Sequence, residues 1–171
     1  MVYSSNYSDK RTNMLISLTW KGVNMDNVSI RLVKERTLVS KKKIRTPKDA
    51  VEIIAQEYKY LDREALFSVN LNTHNQPINF TTASLGDIEK VEFNPKSILK
   101  AALLSNANSI LLIHNHPTGD SKPSKDDIKA TQLVEMACKI VGIKMFDHIV
   151  IGHDSYYSIV GNEEFKYRKD L

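Results

Sequence analysis

Residues 110–127 read ILLIHNHPTGDSKPSKDD: an apolar run, a polar loop and the start of a helix. The apolar run predicts a short buried strand. Ser124, with Asp127 three positions later, is typical of a helix N-terminus, because such side chains cap free backbone N–H groups. Strand and helix patterns alternate in the same way along the rest of the chain. We therefore predict an α/β (α+β) fold with a mixed central sheet flanked by helices.

Turn and capping residues divide the rest of the chain into further elements. Pro47 and Pro95 each follow a residue that can cap a helix, and proline suits the first helical position. Alternating apolar residues, or short apolar runs between turns, predict strands. These strands are 28–39, 65–72, 78–85, 109–113, 143–151 and 156–160. We expect a basic extension with one strand at 1–45, the main domain at 46–160 and a charged tail at 161–171.

The composition is that of a globular domain with an uneven charge distribution. The 171 residues include a single cysteine, Cys138, which excludes an internal disulfide. No run can span a membrane and the N-terminus lacks a signal-peptide core, so we expect a cytoplasmic location. Residues 1–48 hold 11 Lys and Arg against 3 Asp and Glu, whereas residues 49–171 hold 13 against 17. This asymmetry indicates an anionic partner such as nucleic acid or, as we favour, a solvated basic strand.

Two histidines and an aspartate in the opening stretch have the pattern of metal ligands. His114 and His116 are two positions apart, and on an extended backbone such residues share a face. Asp127 falls in the first turn of the next helix. Two imidazoles and a carboxylate suit zinc, and an unfilled fourth position would take the water of a catalytic site.

A structural interpretation of these residues stays open at this point. Ser124-x-x-Asp127 is also a capping signature, so the helix end alone can explain both residues. The apolar stripe of the helix does not decide the matter, because Asp126 and Asp127 flank it from either side. That stripe comprises Ala130, Leu133, Val134, Ala137 and Val141. The motifs of a zinc deaminase and of a His-Glu-x-x-His protease are absent from the sequence.

The order His-x-His-Pro, six residues, Ser-x-x-Asp resembles the signature of the JAMM (MPN/JAB) metallopeptidase family. His114, His116, Pro117, Ser124 and Asp127 match it without a gap. The surrounding sequence, from residue 45 to residue 160, is similar to the RadC-type bacterial branch of that family. The matching segments are Arg63-Glu64-Ala-Leu-Phe-Ser-Val-Asn-Leu, Asn94-Pro95-Lys and Asp147-His148-Ile-Val-Ile-Gly152.

This resemblance implies a fold, a metal and a reaction. The implied fold is the JAB/MPN-like (cytidine-deaminase-like) three-layer fold, and the implied ligands of one zinc ion are His114, His116 and Asp127. The resemblance also implies Glu64 as general base and Ser124 as a donor to the oxyanion. The expected reaction is hydrolysis of a peptide or isopeptide bond, in a protein or peptide substrate, by a metal-activated water. Two further residues are candidates to support the ligands from behind, His148 and Asp147.

The sequence departs from the RadC-type pattern in one respect, and two other functions are compatible with it. RadC-type proteins commonly carry an N-terminal helix-hairpin-helix region, and residues 1–45 contain no such pattern. We therefore expect a short form, and these residues do not themselves support the DNA-repair label of the family. The alternatives are a non-catalytic MPN-type interaction module and a DNA-associated protein, in repair or in a mobile element, that uses its basic N-terminal region. A homodimer is a further expectation.

Overall fold

The computed structural model describes residues 32–33, 43–58, 61–86 and 93–167, apart from the side chains of 55–58. Apart from residues 32–33, the strand predicted over 28–39 lies outside the described residues, and so does most of the basic N-terminal region. Within these ranges the backbone forms three helices and six strands. In chain order they are α1 (Pro47–Tyr58), β1 (Ala65–Leu71), β2 (Pro77–Leu85), α2 (Pro95–Leu104), β3 (Ser109–Asn115), α3 (Lys125–Ile140), β4 (Lys144–Ile151), β5 (Ser155–Ser158) and β6 (Glu163–Lys166).

The six strands form one mixed sheet in the order β2-β1-β3-β4-β5-β6. β3 and β4 are parallel, and the other neighbouring pairs are antiparallel. Every residue of β3 is buried. A strand that is covered on both faces needs apolar residues in succession, so the strand predicted from the apolar run is confirmed.

Helices cover both faces of the sheet, which gives three layers. On one face residues of α1 share a buried apolar core with Leu111 and Ile113 of β3. On the other face residues of α2 and α3 share a second buried core with Ile110 and Leu112 of the same strand. Successive residues of β3 thus enter opposite cores, as the pleat of a strand requires. The predicted α+β fold with a mixed sheet between helices is confirmed.

The helices begin where the capping residues predicted. Asp49 Oδ2 accepts the N–H of Thr46 at 2.9 Å, and Thr46 Oγ1 accepts the N–H of Asp49 at 3.3 Å. Asn94 Oδ1 accepts the N–H of Lys96 at 3.0 Å, with Pro95 as the first helical residue of α2. None of the helices described combines the length and the apolar character that crossing a membrane requires.

The inward face of α3 differs from the predicted apolar stripe. Its buried residues are Asp127, Thr131, Val134 and Cys138, whereas Leu133 is 49% exposed. The buried face therefore begins with an aspartate and a threonine and becomes apolar only in its second half. A stripe chosen by hydropathy misses such a face, because hydropathy assigns polar residues to the solvent side.

Two boundaries also differ from the prediction. β3 continues through His114 to Asn115, so the first histidine lies within the strand and not beyond it. Residues 163–166 of the expected tail form β6, which pairs with β5. Phe165 of β6 stacks on Tyr156 with ring centroids 5.1 Å apart. This contact adds apolar packing to the pairing of β6 with β5, and charged residues are common on the edge strand of a sheet.

Candidate metal centre

His114, His116 and Asp127 come together where β3 ends and α3 begins. One ligand atom of each residue lies within 4.8 Å of the other two. His114 Nε2 is 3.0 Å from His116 Nε2 and 3.6 Å from Asp127 Oδ1. His116 Nε2 is 3.6 Å from Asp127 Oδ2. The three residues predicted as ligands therefore form a single cluster that can bind a metal ion.

Backbone pairing places the two histidines on one face of the sheet. His114 pairs with Leu66 of β1 on one side and with Val150 of β4 on the other. The N–H of His116 donates to the carbonyl of Ile151 at 2.9 Å, which prolongs the β3–β4 pairing past the end of the strand. The backbone thus stays extended between the histidines, and their side chains share a face.

The His116 ring is oriented by the loop that follows it. Its Nδ1 is 2.8 Å from the carbonyl oxygen of Asp120. A carbonyl can only accept, so the hydrogen in this contact belongs to Nδ1, and Nε2 is left for the cluster. Burial opposes protonation of this ring, but Asp127, the Asp120 carbonyl and Glu64 outweigh burial and raise the pKa of His116.

His148 supports the His114 ring from the opposite side. His148 Nε2 is 2.8 Å from His114 Nδ1, and His148 Nδ1 is 2.6 Å from Thr131 Oγ1. The Phe93 ring packs against both imidazoles, at centroid distances of 5.5 and 5.3 Å. Burial lowers the pKa of His114 well below its usual range and lowers the pKa of His148 to about 3. The structure thus brings a neutral His148 to the ligands.

Asp147, the other candidate for supporting the ligands, lies on the opposite face of β4, because neighbouring strand residues point to opposite sides. Its Oδ2 accepts the Ser158 hydroxyl at 2.7 Å. Its Oδ1 accepts the N–H of His148 at 2.7 Å and that of Val160 at 3.2 Å. Burial raises the pKa of Asp147 despite these bonds. The structure does not bring this carboxylate to the ligands. The carboxylate instead connects β4 with β5.

Asp127 belongs to the helix end and to the cluster at once. Its Oδ2 accepts the N–H of Ser124 at 2.7 Å and the Ser124 hydroxyl at 2.6 Å. Its Oδ1 lies nearest to His114 Nε2. Burial would raise the pKa of Asp127, but His116, His114 and Ser124 hold it well below its usual range. The capping and ligand interpretations are therefore compatible, because Oδ1 lies outside the capping box and faces His114, while Oδ2 serves the box and also lies 3.6 Å from His116 Nε2.

Ser124 uses both functions of its hydroxyl in this capping box. The oxygen accepts the N–H of Asp127 at 3.1 Å while its hydrogen is donated to the carboxylate. The donor role expected for Ser124 would require this hydrogen to turn away from Asp127.

Glu64 lies beside the cluster, immediately before β1. Its Oε1 is 4.0 Å from His116 Nε2, and its side chain is 20% exposed. Its backbone carbonyl accepts the N–H of Gly86 at 2.9 Å. The structure therefore brings the residue that the resemblance named as general base to the three ligands.

Asn115 is a residue of the site that none of the sequence motifs indicates. Its Oδ1 accepts the N–H of Ala65 at 2.9 Å, and its Nδ2 donates to the carbonyl of Arg63 at 3.0 Å. These bonds hold the backbone on both sides of Glu64. The available signal was an amide at the end of a buried apolar strand, since a buried amide needs hydrogen-bond partners.

The loop that carries the Asp120 carbonyl lies tightly against the end of β4. The N–H of His153 donates to the carbonyl of Gly119 at 2.9 Å. A Cβ atom on Gly152 would collide with this same carbonyl oxygen. Gly152 therefore permits the close approach that positions the loop behind His116.

A hydrogen or a metal ion between the two histidine nitrogens explains the short distance that separates them. Nδ1 of His116 and Nδ1 of His114 are each occupied by another partner, so both Nε2 atoms face one another at 3.0 Å. A proton on one of them or a metal ion removes the repulsion of two lone pairs. Two neutral imidazoles and an ionised carboxylate are a suitable donor set for a divalent metal with one open position.

Comparison with known proteins identifies relatives over most of this region. The family described as "RadC-like JAB domain" matches residues 44–165. A UPF0758 protein of Desulforudis audaxviator is 38% identical over 116 residues, which are 68% of this chain and 50% of that protein. UPF0758 proteins of Caldanaerobacter subterraneus and Moorella thermoacetica are 38% and 36% identical, over 64% and 71% of this chain and 47% and 53% of theirs. The chain thus spans about half the length of the curated relatives it matches.

Proposed function

Because the chain belongs to the RadC-like JAB domain family, we propose that it is a zinc-dependent hydrolase of a peptide or isopeptide bond. The position of Glu64 carries this proposal. Its carboxylate lies 4.0 Å from His116 Nε2, next to three residues that can hold a metal ion. A partly exposed base beside a metal site with an open position is the arrangement that metal-assisted hydrolysis needs.

Zinc suits the chemistry of the three candidate ligands, because imidazole nitrogens and carboxylate oxygens are donors that zinc prefers in proteins. The two Nε2 atoms are 3.0 Å apart, and Asp127 Oδ1 is 3.6 Å from that of His114. His114, His116 and Asp127 would hold the ion, and the Asp127 oxygen outside the capping box, Oδ1, is the favoured ligand atom.

The proposed reaction assigns separate tasks to the residues of the site. When bound, zinc would lower the pKa of a water molecule and polarise the scissile carbonyl. Glu64 would take the proton of the attacking water and deliver it to the leaving nitrogen. The histidines have their Nδ1 atoms fixed by other partners, so their Nε2 atoms are oriented before a substrate arrives. Such preorganisation lowers the entropic cost of reaching the reactive geometry.

Ser124 is the proposed donor to the oxygen of the scissile carbonyl. Its hydrogen would have to leave Asp127 Oδ2, which would still accept the Ser124 backbone N–H at 2.7 Å. The capping box would therefore lose one bond and keep the other two while the hydroxyl acts on a protein or peptide substrate.

Replacement of Glu64 by glutamine tests the proposal. Glu64→Gln keeps the shape of the side chain but removes the base, so we expect kcat to fall by about 10²- to 10⁴-fold with zinc still bound. Glu163→Gln, on the exposed edge strand, is the matched control and should leave both quantities unchanged. Fluorogenic peptides and isopeptide-linked conjugates serve as substrates, and elemental analysis measures the metal.

Two outcomes would contradict this function. A chain that takes up no divalent metal would exclude the zinc centre. A zinc-loaded wild type that cleaves neither class of bond would favour the non-catalytic interaction module instead.

A further inference from the structure

A chain of buried hydrogen bonds runs behind His114 and joins two of the proposed ligands. Thr131 Oγ1 is 2.6 Å from the backbone carbonyl oxygen of Asp127 and 2.6 Å from His148 Nδ1. His148 Nε2 is in turn 2.8 Å from His114 Nδ1. Thr131 and His148 are both buried. The chain therefore begins on the backbone of one ligand and ends on the side chain of another.

The hydrogens of this chain have one consistent arrangement. A carbonyl oxygen has no hydrogen, so the short contact with Asp127 must contain the hydroxyl hydrogen of Thr131. The contact between Thr131 and His148 must then contain a hydrogen on His148 Nδ1. A neutral imidazole carries no second hydrogen, so His148 Nε2 accepts and His114 Nδ1 donates.

This arrangement determines what His114 presents to the cluster. With its hydrogen on Nδ1, the ring has a lone pair on Nε2, the atom 3.0 Å from His116 Nε2 and 3.6 Å from Asp127 Oδ1. We propose that Thr131 and His148 are positioning residues that hold His114 in the tautomer able to bind a divalent cation. The inference rests on the proposed metal site but does not depend on hydrolysis.

A purely structural role of Thr131 and His148 would predict different experimental results. Thr131 and His148 could satisfy each other inside the core, as buried polar groups must. Such a role would affect the stability of the fold but not the affinity of an ion on the far side of the His114 ring. Partners of this kind, which fix the tautomer of a ligand, typically change metal affinity by about 10- to 100-fold when they are removed.

Substitution of Thr131 separates the two roles. Thr131→Val keeps the shape of the side chain but removes the acceptor for His148 Nδ1, so His148 loses its preference for this tautomer. Thr131→Ser keeps the hydroxyl and is the matched control. We expect the affinity for Zn²⁺ alone, measured by competition with a chromophoric chelator, to fall by about 10- to 100-fold in Thr131→Val and to stay near wild type in Thr131→Ser.

A measurement on the unaltered protein keeps the inference testable if the valine variant does not fold. Long-range ¹H–¹⁵N correlation spectra of the zinc-loaded protein report which nitrogen of each histidine carries hydrogen. We expect Nδ1–H on both His148 and His114, with the metal-bound signature on His114 Nε2. Hydrogen on His148 Nε2 would overturn the inference, as would a folded Thr131→Val variant with wild-type zinc affinity.

These results are distinct from a failure of the proposed hydrolysis. A protein that binds zinc but cleaves no peptide or isopeptide bond would contradict the hydrolase, whereas the comparison of Thr131→Val with Thr131→Ser would still support or overturn the positioning role.

Discussion

Asn115 holds Glu64 in place from the opposite strand. Its side-chain amide accepts from the residue after Glu64 at 2.9 Å and donates to the residue before it at 3.0 Å. Because Asn115 lies between the two histidines in sequence, these bonds connect the backbone around the proposed base to the end of β3, where both histidines are located.

Asn115→Ala should therefore impair the proposed reaction more than metal binding. Loss of both bonds frees the backbone around Glu64, and a displacement of about 1 Å can cost about 10²-fold in rate. We expect kcat to fall by that order while zinc affinity stays near wild type, since the ligands keep their own supports. Steady-state kinetics and chelator competition measure the two quantities. Gln132→Ala, on the exposed face of α3, is the control. Equal loss of zinc affinity would show that Asn115 acts through the ligands instead.

Zinc affinity should depend on pH through His116. Its pKa is raised in the metal-free protein, so below that pKa a proton occupies the nitrogen that faces the cluster. Zinc must displace this proton, and we expect affinity to fall about tenfold for each unit of pH below the raised pKa and to level off above it. Calorimetry in buffers of different ionisation enthalpy should detect about one proton released per ion at low pH. An affinity independent of pH between 5.5 and 8 would contradict this prediction.

The metal-free fold should lose stability in mild acid because of His148. The unfolded chain binds a proton on this histidine with an ordinary pKa of about 6.5, whereas burial lowers the pKa in the folded state to about 3. Between these values the unfolded state binds more protons, so stability falls as the pH falls. His148 alone should cost about 2 kcal/mol between pH 7 and pH 5.

The imidazole rings of His114 and His116 also affect how the stability of the fold depends on pH. The lowered pKa of His114 acts in the same direction, whereas the raised pKa of His116 opposes it. Urea unfolding in the presence of a chelator measures the sum. A free energy of unfolding that rises from pH 7 to pH 5 would contradict the predicted loss of stability in mild acid.

Gly152→Ala should weaken zinc binding through the loop behind His116. The added Cβ collides with the carbonyl of Gly119, so the loop must shift, at a cost of about 1–3 kcal/mol in stability. The shift moves the Asp120 carbonyl that orients His116. Gly142→Ala is a matched control: it has open space around the new atom and a positive φ of 73°, so strain should lower its stability without affecting zinc affinity. Equal zinc affinities in the two variants would contradict the role of Gly152.

Local sequence signals predicted much of the fold. The starts of α1 and α2 follow from capping residues next to prolines, and β3 follows from its apolar run, because each depends on neighbours in the chain. The inward face of α3 could not be predicted in the same way. Its first buried residues, Asp127 and Thr131, are polar because their partners come from β3 and β4.

Only some residues of the candidate site could be predicted from the sequence, for a related reason. The spacing of His114, His116 and Asp127 suggested ligands, whereas Glu64 was identified by resemblance alone. Asn115 was missed because its role depends on the antiparallel pairing of β1 with β3, which joins residues 50 positions apart. The bonds of Asp147 with the strand and turn that follow it were likewise not evident from a motif that suggested a role near the ligands.

The shared carboxylate of Asp127 connects ion release with the opening of a helix end. Its Oδ2 maintains the capping box of α3 and lies 3.6 Å from His116 Nε2, and its Oδ1 faces His114. An ion held by this residue would have to dissociate before the first turn could unwind, so its residence time would limit amide exchange there. The start of α3 would thus act as a local reporter of occupancy: its amides would exchange slowly while the ion is bound and faster once it has left.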